Sequence, residues 1–145
     1  MGFHFSLDTV LRFRESVEQK EELALRQIQL EIAGLRRTIQ DVTAAIAHAQ
    51  KARDKAMRQT MPAAHLQAMV SEAEAAVERK KKLVASLEEL EQQHAEQLKE
   101  WQAAHRKRQM LSDMEARQFD AYELEQVKAQ QKRLDDLFGS RHQRG

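Results

Sequence analysis

The sequence contains no cysteine and very little proline, glycine or aromatic side chain. Among 145 residues there are one Pro and four Gly, and Phe, Trp and Tyr together make up 5%. The lack of cysteine excludes a disulfide framework and fits a reducing compartment. So few turn-forming residues and so few rings argue against an ordinary globular domain.

Neither sign of charge dominates the chain. There are 24 basic residues against 23 acidic ones, for a net charge of +1. A nucleic-acid-binding protein would carry a clear excess of bases. The run of bases at residues 79–82 lies between Glu78 and Glu88, as is typical of a solvated helix face.

No apolar run approaches the length of a membrane span and no signal peptide is expected, so any membrane association would go through a partner.

Apolar residues make up 41% of the chain. They recur at alternating spacings of three and four, which favours long helices over disorder. We predict a first helix over about residues 6–58, with Ser6 and Asp8 at its start as cap and first-turn acid. A four-residue stutter interrupts its heptads after Ala24. The predicted seam residues are Phe3, Leu7, Val10, Val17, Ala24, Ile28, Ile32, Leu35, Ile39, Val42, Ile46 and Ala49.

Pro62 is the single proline, and an interior proline breaks a helix. We therefore predict a turn at about residues 58–63, with Thr60 as the cap of the next helix. That helix runs over about residues 63–138 and ends at Gly139, before a disordered tail at 139–145. Its predicted seam residues are Leu66, Val70, Ala73, Val77, Lys80, Val84, Leu87, Glu91, His94, Leu98, Trp101, His105 and Arg108.

Neither helix can bury its apolar stripe alone. The sequence therefore predicts an all-α, single-domain fold: a long antiparallel two-helix coiled coil (an αα-hairpin), with the second helix longer than the first. A fold at residue 61 brings residue i close to residue 122 − i. Phe3 and Phe5 then lie beside Phe119, and Phe13 lies near Met110. The half that holds both termini contains all seven aromatic residues, Phe3, Phe5, Phe13, Trp101, Phe119, Tyr122 and Phe138.

Two sets of apolar residues have no expected place in the seam. Phe5 and Phe13 lie away from the stripe at 100° per residue. We interpret them as exposed partner contacts, with packing at the end of the coil as the alternative. The second helix outruns the first, and no intrachain helix remains to cover its last apolar residues. We interpret these as a docking stripe rather than a loosely folded end. They are Leu124, Val127, Leu134 and Phe138.

No residues with the pattern of an enzyme site are present. The chain has no phosphate-binding glycine loop and no cysteine, and a two-helix rod offers no water-excluding pocket. His94 and His105 share a face but stand about 16 Å apart by helical rise, too far for one metal ion. We therefore expect no catalytic residues, no cofactor and no metal.

Both ends of the chain carry a family resemblance. The pattern Phe5-x-Leu7-x3-Leu11-x2-Arg14-x3-Glu18 resembles the N-terminal signature of the flagellar export protein FliJ family.

The closing segment QKRLDDL at residues 131–137, with Arg141 beyond it, is similar to the end of that family. Leu98-Lys99-x-Trp101 resembles some of its members. The sequence departs from the family pattern at Gln130, where an acid is common, and at Phe138, where a small residue is expected.

The resemblance implies a nonenzymatic component of the flagellar type III export apparatus, similar to the stalk subunit of rotary ATPases. It implies that the protein binds and activates the hexameric export ATPase, contacts the membrane protein of the export gate and escorts substrate chaperones. It also implies a cytoplasmic protein, peripherally associated with the inner face of the membrane at the flagellar basal body. The hairpin itself predicts a monomer.

In that family the paired termini contact the ATPase and the other half of the coil contacts the gate. The expected ATPase-binding residues are Phe5, Leu11, Phe13, Arg14, Leu124, Val127, Leu134 and Phe138. The expected gate-binding residues are Val42, Ala45, Ala49, Met69, Ala73 and Ala76, several of which ordinary seam packing would also explain.

Three alternatives stay open. The first is the equivalent stalk of a virulence injectisome. The second is a self-associating coiled-coil tether, which would form a parallel dimer with Pro62 as a kink. The third is a central stalk of a rotary ATPase, disfavoured because such subunits carry a globular domain between their helices and only a short turn fits here.

Overall fold

The protein is all-α. The computed structural model describes residues 2–144, with side chains over 2–141. Helix α1 spans Asp8–Met57 (50 residues) and helix α2 spans Ala63–Arg144 (82 residues). Side chains of α1 contact side chains of α2 that are far away in sequence, such as Arg36 with Glu91 and Glu18 with Arg108. The two helices are therefore packed as an antiparallel hairpin, and the prediction of an all-α hairpin with a longer second helix is confirmed.

Local hydrogen bonds determine where α1 begins. The N–H of Asp8 donates to the carbonyl of Phe5 (3.1 Å), and the N–H of Leu11 donates to the carbonyl of Leu7 (2.9 Å). The Asp8 carboxylate lies at the positive end of the helix dipole and pairs with Arg12, one turn later, at 3.1 Å. Phe5 therefore precedes the helix and does not follow its 100° periodicity.

Pro62 marks the start of α2. The chain leaves α1 at Met57 and enters α2 at Ala63. The carbonyl of Pro62 accepts the N–H groups of His65 (3.1 Å) and Leu66 (3.3 Å). Proline is suited to this place because the first turn of a helix does not need its missing N–H.

The far end of α2 differs from the prediction. The helix continues through Gly139 to Arg144 instead of stopping at Gly139. Gly139 does not have the positive φ of a left-handed cap, so it does not end the helix. Residues 139–144, predicted to belong to a disordered tail, are thus helical, and Gly145 lies outside the described residues.

The chain divides into two compact units. We call Met1–Glu21 with Trp101–Gly145 the terminal unit, and Glu22–Glu100 the turn unit. Each contains a stretch of both helices. Among the described residues, five apolar residues are buried, with 4–8% of their surface exposed: Phe5, Leu11 and Ala104 in the terminal unit, and Leu25 and Ile32 in the turn unit.

The seam of α1 differs in its first half from the predicted one. Leu11, Leu25 and Ile32 are buried, and the separations between them are multiples of seven residues. The heptads therefore continue without the predicted stutter. Val10, predicted as a seam residue, is 42% exposed. Sequence reasoning missed this register because a half-buried polar residue, Glu18, occupies the heptad position between Leu11 and Leu25.

The seam of α2 was half predicted. The series that repeats every seven residues from Leu66 is half-buried along the helix, as expected. The second predicted series, which repeats every seven residues from Val70, lies partly outside the seam, since Val77 is 39% exposed. The second series of seam positions is instead the one that repeats every seven residues through Ala76 and Ala104. Apolar residues flank the seam on α2 as well as filling it, so spacing alone did not separate the two series.

The pairing of the two helices follows the predicted register closely. In the terminal unit the rings of Phe3 and Phe119 meet edge to face with centroids 5.3 Å apart, and their residue numbers add to 122, as predicted. In the turn unit Arg36 donates a hydrogen bond to Glu91 at 3.1 Å, and the two residue numbers add to 127. Long side chains reach about one turn along the partner helix, which accounts for a difference of this size.

The buried Phe5 provides a test of the fold. Phe5→Ala should lower the free energy of unfolding by about 3 kcal/mol, because it removes a buried ring from a thin core. Phe13→Ala is the matched control: its ring is 59% exposed, and the change should stay within about 0.5 kcal/mol. Urea denaturation followed by circular dichroism measures both. Equal losses for the two variants would contradict the burial described here.

Candidate protein interaction surfaces

No helix among the described residues covers the C-terminal part of α2. Every residue from 123 to 141 is exposed. Four apolar residues at spacings of three, seven and four lie along this stretch, and we call them the C-terminal stripe. They are Leu124 (56% exposed), Val127 (58%), Leu134 (55%) and Phe138 (69%). The structure thus leaves the predicted stripe uncovered within the chain. Leu137, which sequence reasoning missed, is also 59% exposed; its position three residues after Leu134 was the available signal.

Phe13 is exposed as the helical angle predicted. Its ring is 59% exposed, and the guanidinium carbon of Arg14 lies 5.6 Å from the ring centroid. That distance is within the range of a cation–π contact, which orients the base beside the ring. Phe13 therefore presents an apolar ring to solvent, with the half-buried Arg14 beside it.

Phe5 and Leu11 are buried, contrary to the expectation that they bind a partner. Phe5 is 4% exposed and Leu11 is 5% exposed. Phe5 precedes α1, so the angle extrapolated along the helix does not apply to it. Leu11 occupies a heptad position that faces α2. Both side chains stabilise the hairpin, and neither is available to another molecule in this conformation.

The remaining rings of the terminal unit pack against each other. Phe3 contacts Phe119 and also Tyr122, whose ring centroid lies 5.5 Å away. Trp101 stacks on His105 with a centroid distance of 5.0 Å and an angle of 18° between the rings. Phe3, Phe119 and Tyr122 therefore pack together at the end of the coil.

A polar network holds the two helices together in the terminal unit. Arg108 Nε donates to Glu18 Oε2 at 2.7 Å, and the side chains of this pair are only 23% and 18% exposed. His105 Nδ1 lies 3.5 Å from the same carboxylate oxygen, and Arg108 Nη1 donates to Ser112 Oγ at 3.4 Å. The network satisfies a carboxylate at a core heptad position and fixes the alignment of the helices.

The turn unit contains a groove of about 840 Å³ between the two helices. It is lined by five of the six expected gate-binding residues: Ala45, Ala49, Met69, Ala73 and Ala76. Val42, the sixth, does not line it. Val70 and Val77 do, and sequence reasoning placed them in the seam. Short alanine side chains on both helices leave this space open. The alanines, together with Met69, Val70 and Val77, make its lining largely apolar.

Charged groups of both signs surround the groove. The lining includes the acids Glu72, Glu74 and Glu78 and the bases Arg53 and Lys81. Lys81 pairs with Glu78 at 3.4 Å. Arg53 Nε is shielded from solvent and has no hydrogen-bond partner among the described residues. The rim is therefore mixed in charge while the floor is apolar.

Two further kinds of site bear on function in the described part of the chain, a metal-binding cluster and a membrane-spanning helix. Among those residues no three His, Asp or Glu side chains lie close enough together to hold a metal ion. Neither helix, over the residues described, combines the length and the apolar character needed to cross a bilayer.

The sequence model of the family described as the flagellar FliJ protein matches residues 3–145. The chain belongs to the FliJ family. Neither curated proteins nor solved structures give a match. Membership in the FliJ family makes the protein a component of the flagellar export apparatus, and the match spans both helices together with the C-terminal stripe. The resemblance found at the two ends of the chain is confirmed.

The network around Glu18 yields a stability prediction. In a double-mutant cycle with Glu18→Ala and Arg108→Ala, we expect a coupling free energy of about 1–2 kcal/mol, because the pair is shielded from solvent. The control is Glu22 with Arg26, an exposed pair at 2.9 Å, whose coupling should stay below about 0.5 kcal/mol. Urea denaturation of the four variants in each cycle measures both values. A coupling no larger than that of the control would show that the network does not stabilise the hairpin.

Proposed function

We propose that this protein is a nonenzymatic, stalk-like subunit of the flagellar type III export apparatus, and that it binds and activates the hexameric export ATPase. The contact is formed by the C-terminal stripe together with Phe13 and Arg14. The observation that carries the proposal is the exposure of all four stripe residues, between 55% and 69%. Phe5 and Leu11, being buried, are not part of the contact.

Two properties favour docking over a loosely folded end. The stretch is helical although no part of α1 covers it. Its apolar residues also share one face at helical spacing, the arrangement by which an amphipathic helix binds a groove on another protein. Each square ångström of apolar surface that a partner covers contributes about 25 cal/mol. A stripe of four large side chains therefore provides a substantial driving force for association.

We also propose the groove of the turn unit as the contact with the export gate. The contact residues are Ala45, Ala49, Met69, Ala73 and Ala76. Val42, expected in the same contact, does not line the groove. Support comes from the apolar floor of the groove and from the family membership.

Escort of substrate chaperones belongs to the same proposal and rests on the family membership. We place the protein in the cytoplasm, peripherally associated with the inner face of the membrane through the gate. We propose that it is a monomer, because α1 and α2 cover each other's seam within each unit.

The ATPase proposal is tested by replacing stripe residues without changing the hairpin. We expect Leu124→Gln with Leu134→Gln to lower stimulation of the cognate export ATPase by about 10-fold or more, because two large side chains of the contact, together worth at least about 1.4 kcal/mol, become polar. Circular dichroism should show unchanged helicity, since neither side chain is covered.

The matched control is Leu23→Gln with Leu30→Gln. These leucines lie on α1 in the turn unit and are 65% and 69% exposed. The control variant should stimulate the ATPase like the unchanged protein. Full stimulation by the stripe variant, or an equal loss in the control, would refute the proposed contact.

A further inference from the structure

The terminal unit carries a second exposed apolar surface, separate from the C-terminal stripe. Its members are Val10 (42% exposed) and Phe13 (59%) on α1, and Met110 (67%) and Met114 (38%) on α2. We call these four residues the Phe13 face. On each helix the two members are three or four residues apart, so they are neighbours on one side of that helix.

The two halves of the Phe13 face lie at the same level of the hairpin. Phe3 meets Phe119, and Glu18 meets Arg108, so the stretch of α1 between Phe3 and Glu18 runs antiparallel to the stretch of α2 between 108 and 119. Phe13 lies within the first stretch and Met110 within the second. Their levels therefore differ by no more than about one turn.

The two halves also lie on the same side of the hairpin. At 100° per residue, the members on α1 are rotated by about 100° from the seam position of Leu11 and Arg14. The members on α2 are rotated by about 120° in the same sense from the seam position of Ala104 and Arg108. In an antiparallel pair, equal rotations in the same sense bring the two faces to the same side. His105 and Phe119, which contact α1, lie on the other side of α2.

Bases surround this face. Arg106, Lys107 and Arg117 lie within about 60° of the line through Met110 and Met114, by their positions along α2. Arg14 lies beside the ring of Phe13 on α1. Within residues 2–141, none of these four bases forms a salt bridge.

All but one of the acids of the same stretch are paired with a base or point elsewhere. The carboxylate of Asp8 pairs with Arg12 and that of Glu18 with Arg108. Asp113 is the exception: it lies about 80° from the line through Met110 and Met114, and its carboxylate accepts a hydrogen bond from the neutral Gln109 Nε2 at 3.1 Å. One such acid stands against the four bases. Glu15 lies on the opposite side of α1, well over 100° from Phe13 by helical position. The face is thus apolar at its centre and positively charged at its edges, although the whole chain has a net charge of only +1.

From this charge distribution we propose that the Phe13 face binds an acidic amphipathic helix of a partner protein. An added helix would lie across α1 and α2 as a third helix, with its apolar side on the four face residues and its acids beside the four bases. Methionine side chains suit such a surface because they adapt to differently shaped partners. An anionic membrane would also attract these bases, but apolar residues shared by two antiparallel helices form a surface to which a helix is complementary.

The inference extends the proposed function, because Phe13 and Arg14 also belong to the proposed ATPase contact. It does not involve the C-terminal stripe. It can therefore be tested without the ATPase, and the two can fail separately.

The test uses the full chain and a labelled helical peptide of about 18 residues, with Leu on one face and Glu on the other. A control peptide has Lys in place of Glu. By fluorescence anisotropy we expect the acidic peptide to bind at least about 10-fold more tightly than the basic one, and the binding to weaken at about 0.5 M salt. Phe13→Ser with Met110→Ser should weaken it about 10-fold or more.

Two control variants separate the outcomes. Leu23→Ser with Leu30→Ser, and the C-terminal stripe variant Leu124→Gln with Leu134→Gln, should bind the acidic peptide like the unchanged chain. Circular dichroism verifies that each variant is folded.

Three results would overturn the proposal: no binding of the acidic peptide, equal binding of both peptides, or unchanged binding by the Phe13 and Met110 variant. Vesicles with about 30% anionic lipid form a further arm. If vesicles bind through Phe13 and Met110 while the acidic peptide does not, the face is assigned to a membrane surface and the peptide proposal is wrong.

Discussion

The interaction on which this structure depends is the mutual coverage of two amphipathic helices of unequal length. A single long helix in water cannot bury its apolar stripe, so α1 and α2 stabilise each other where they run side by side. With 50 residues in α1 and 82 in α2, that coverage ends before α2 does. The exposure of residues 123–141 is therefore a direct consequence of the chain's construction. What the shorter helix leaves uncovered becomes available to other molecules.

The core that results is thin, and specific polar contacts help to define it. Only five of the described residues are buried, and none of them is polar. Glu18 and Arg108, partly shielded, pair across the two helices at 2.7 Å, and Phe3 closes the open end against Phe119. A seam made of leucines alone would leave the helices free to slide by a heptad. These contacts select one alignment, and that alignment places Phe13 and Met110 at one level.

The sequence was sufficient for features that depend on local spacing. The two helices, the turn before Pro62 and the uncovered C-terminal stripe all follow from apolar periodicity and a single proline. The burial of Phe5 could not be predicted, because the residue precedes α1 and helical angles do not apply there. The stutter was wrong because Glu18 fills a position where an apolar residue was expected. The helix end at Gly139 was wrong because glycine permits a left-handed cap without requiring one. The groove of the turn unit depends on the distance between two alanine-lined helices, and the sequence pattern does not predict that distance.

The most direct test of the account measures backbone amide exchange along α2 with and without the cognate export ATPase, by hydrogen–deuterium exchange and mass spectrometry. In the free protein, amides at 123–141 should exchange much faster than those around Ala104, because no other helix packs on them. On binding to the ATPase the same segment should become protected while residues 22–100 change little. Slow exchange of this segment in the free protein, or no added protection in a complex that forms, would contradict the claim that the uncovered end of α2 is the docking element.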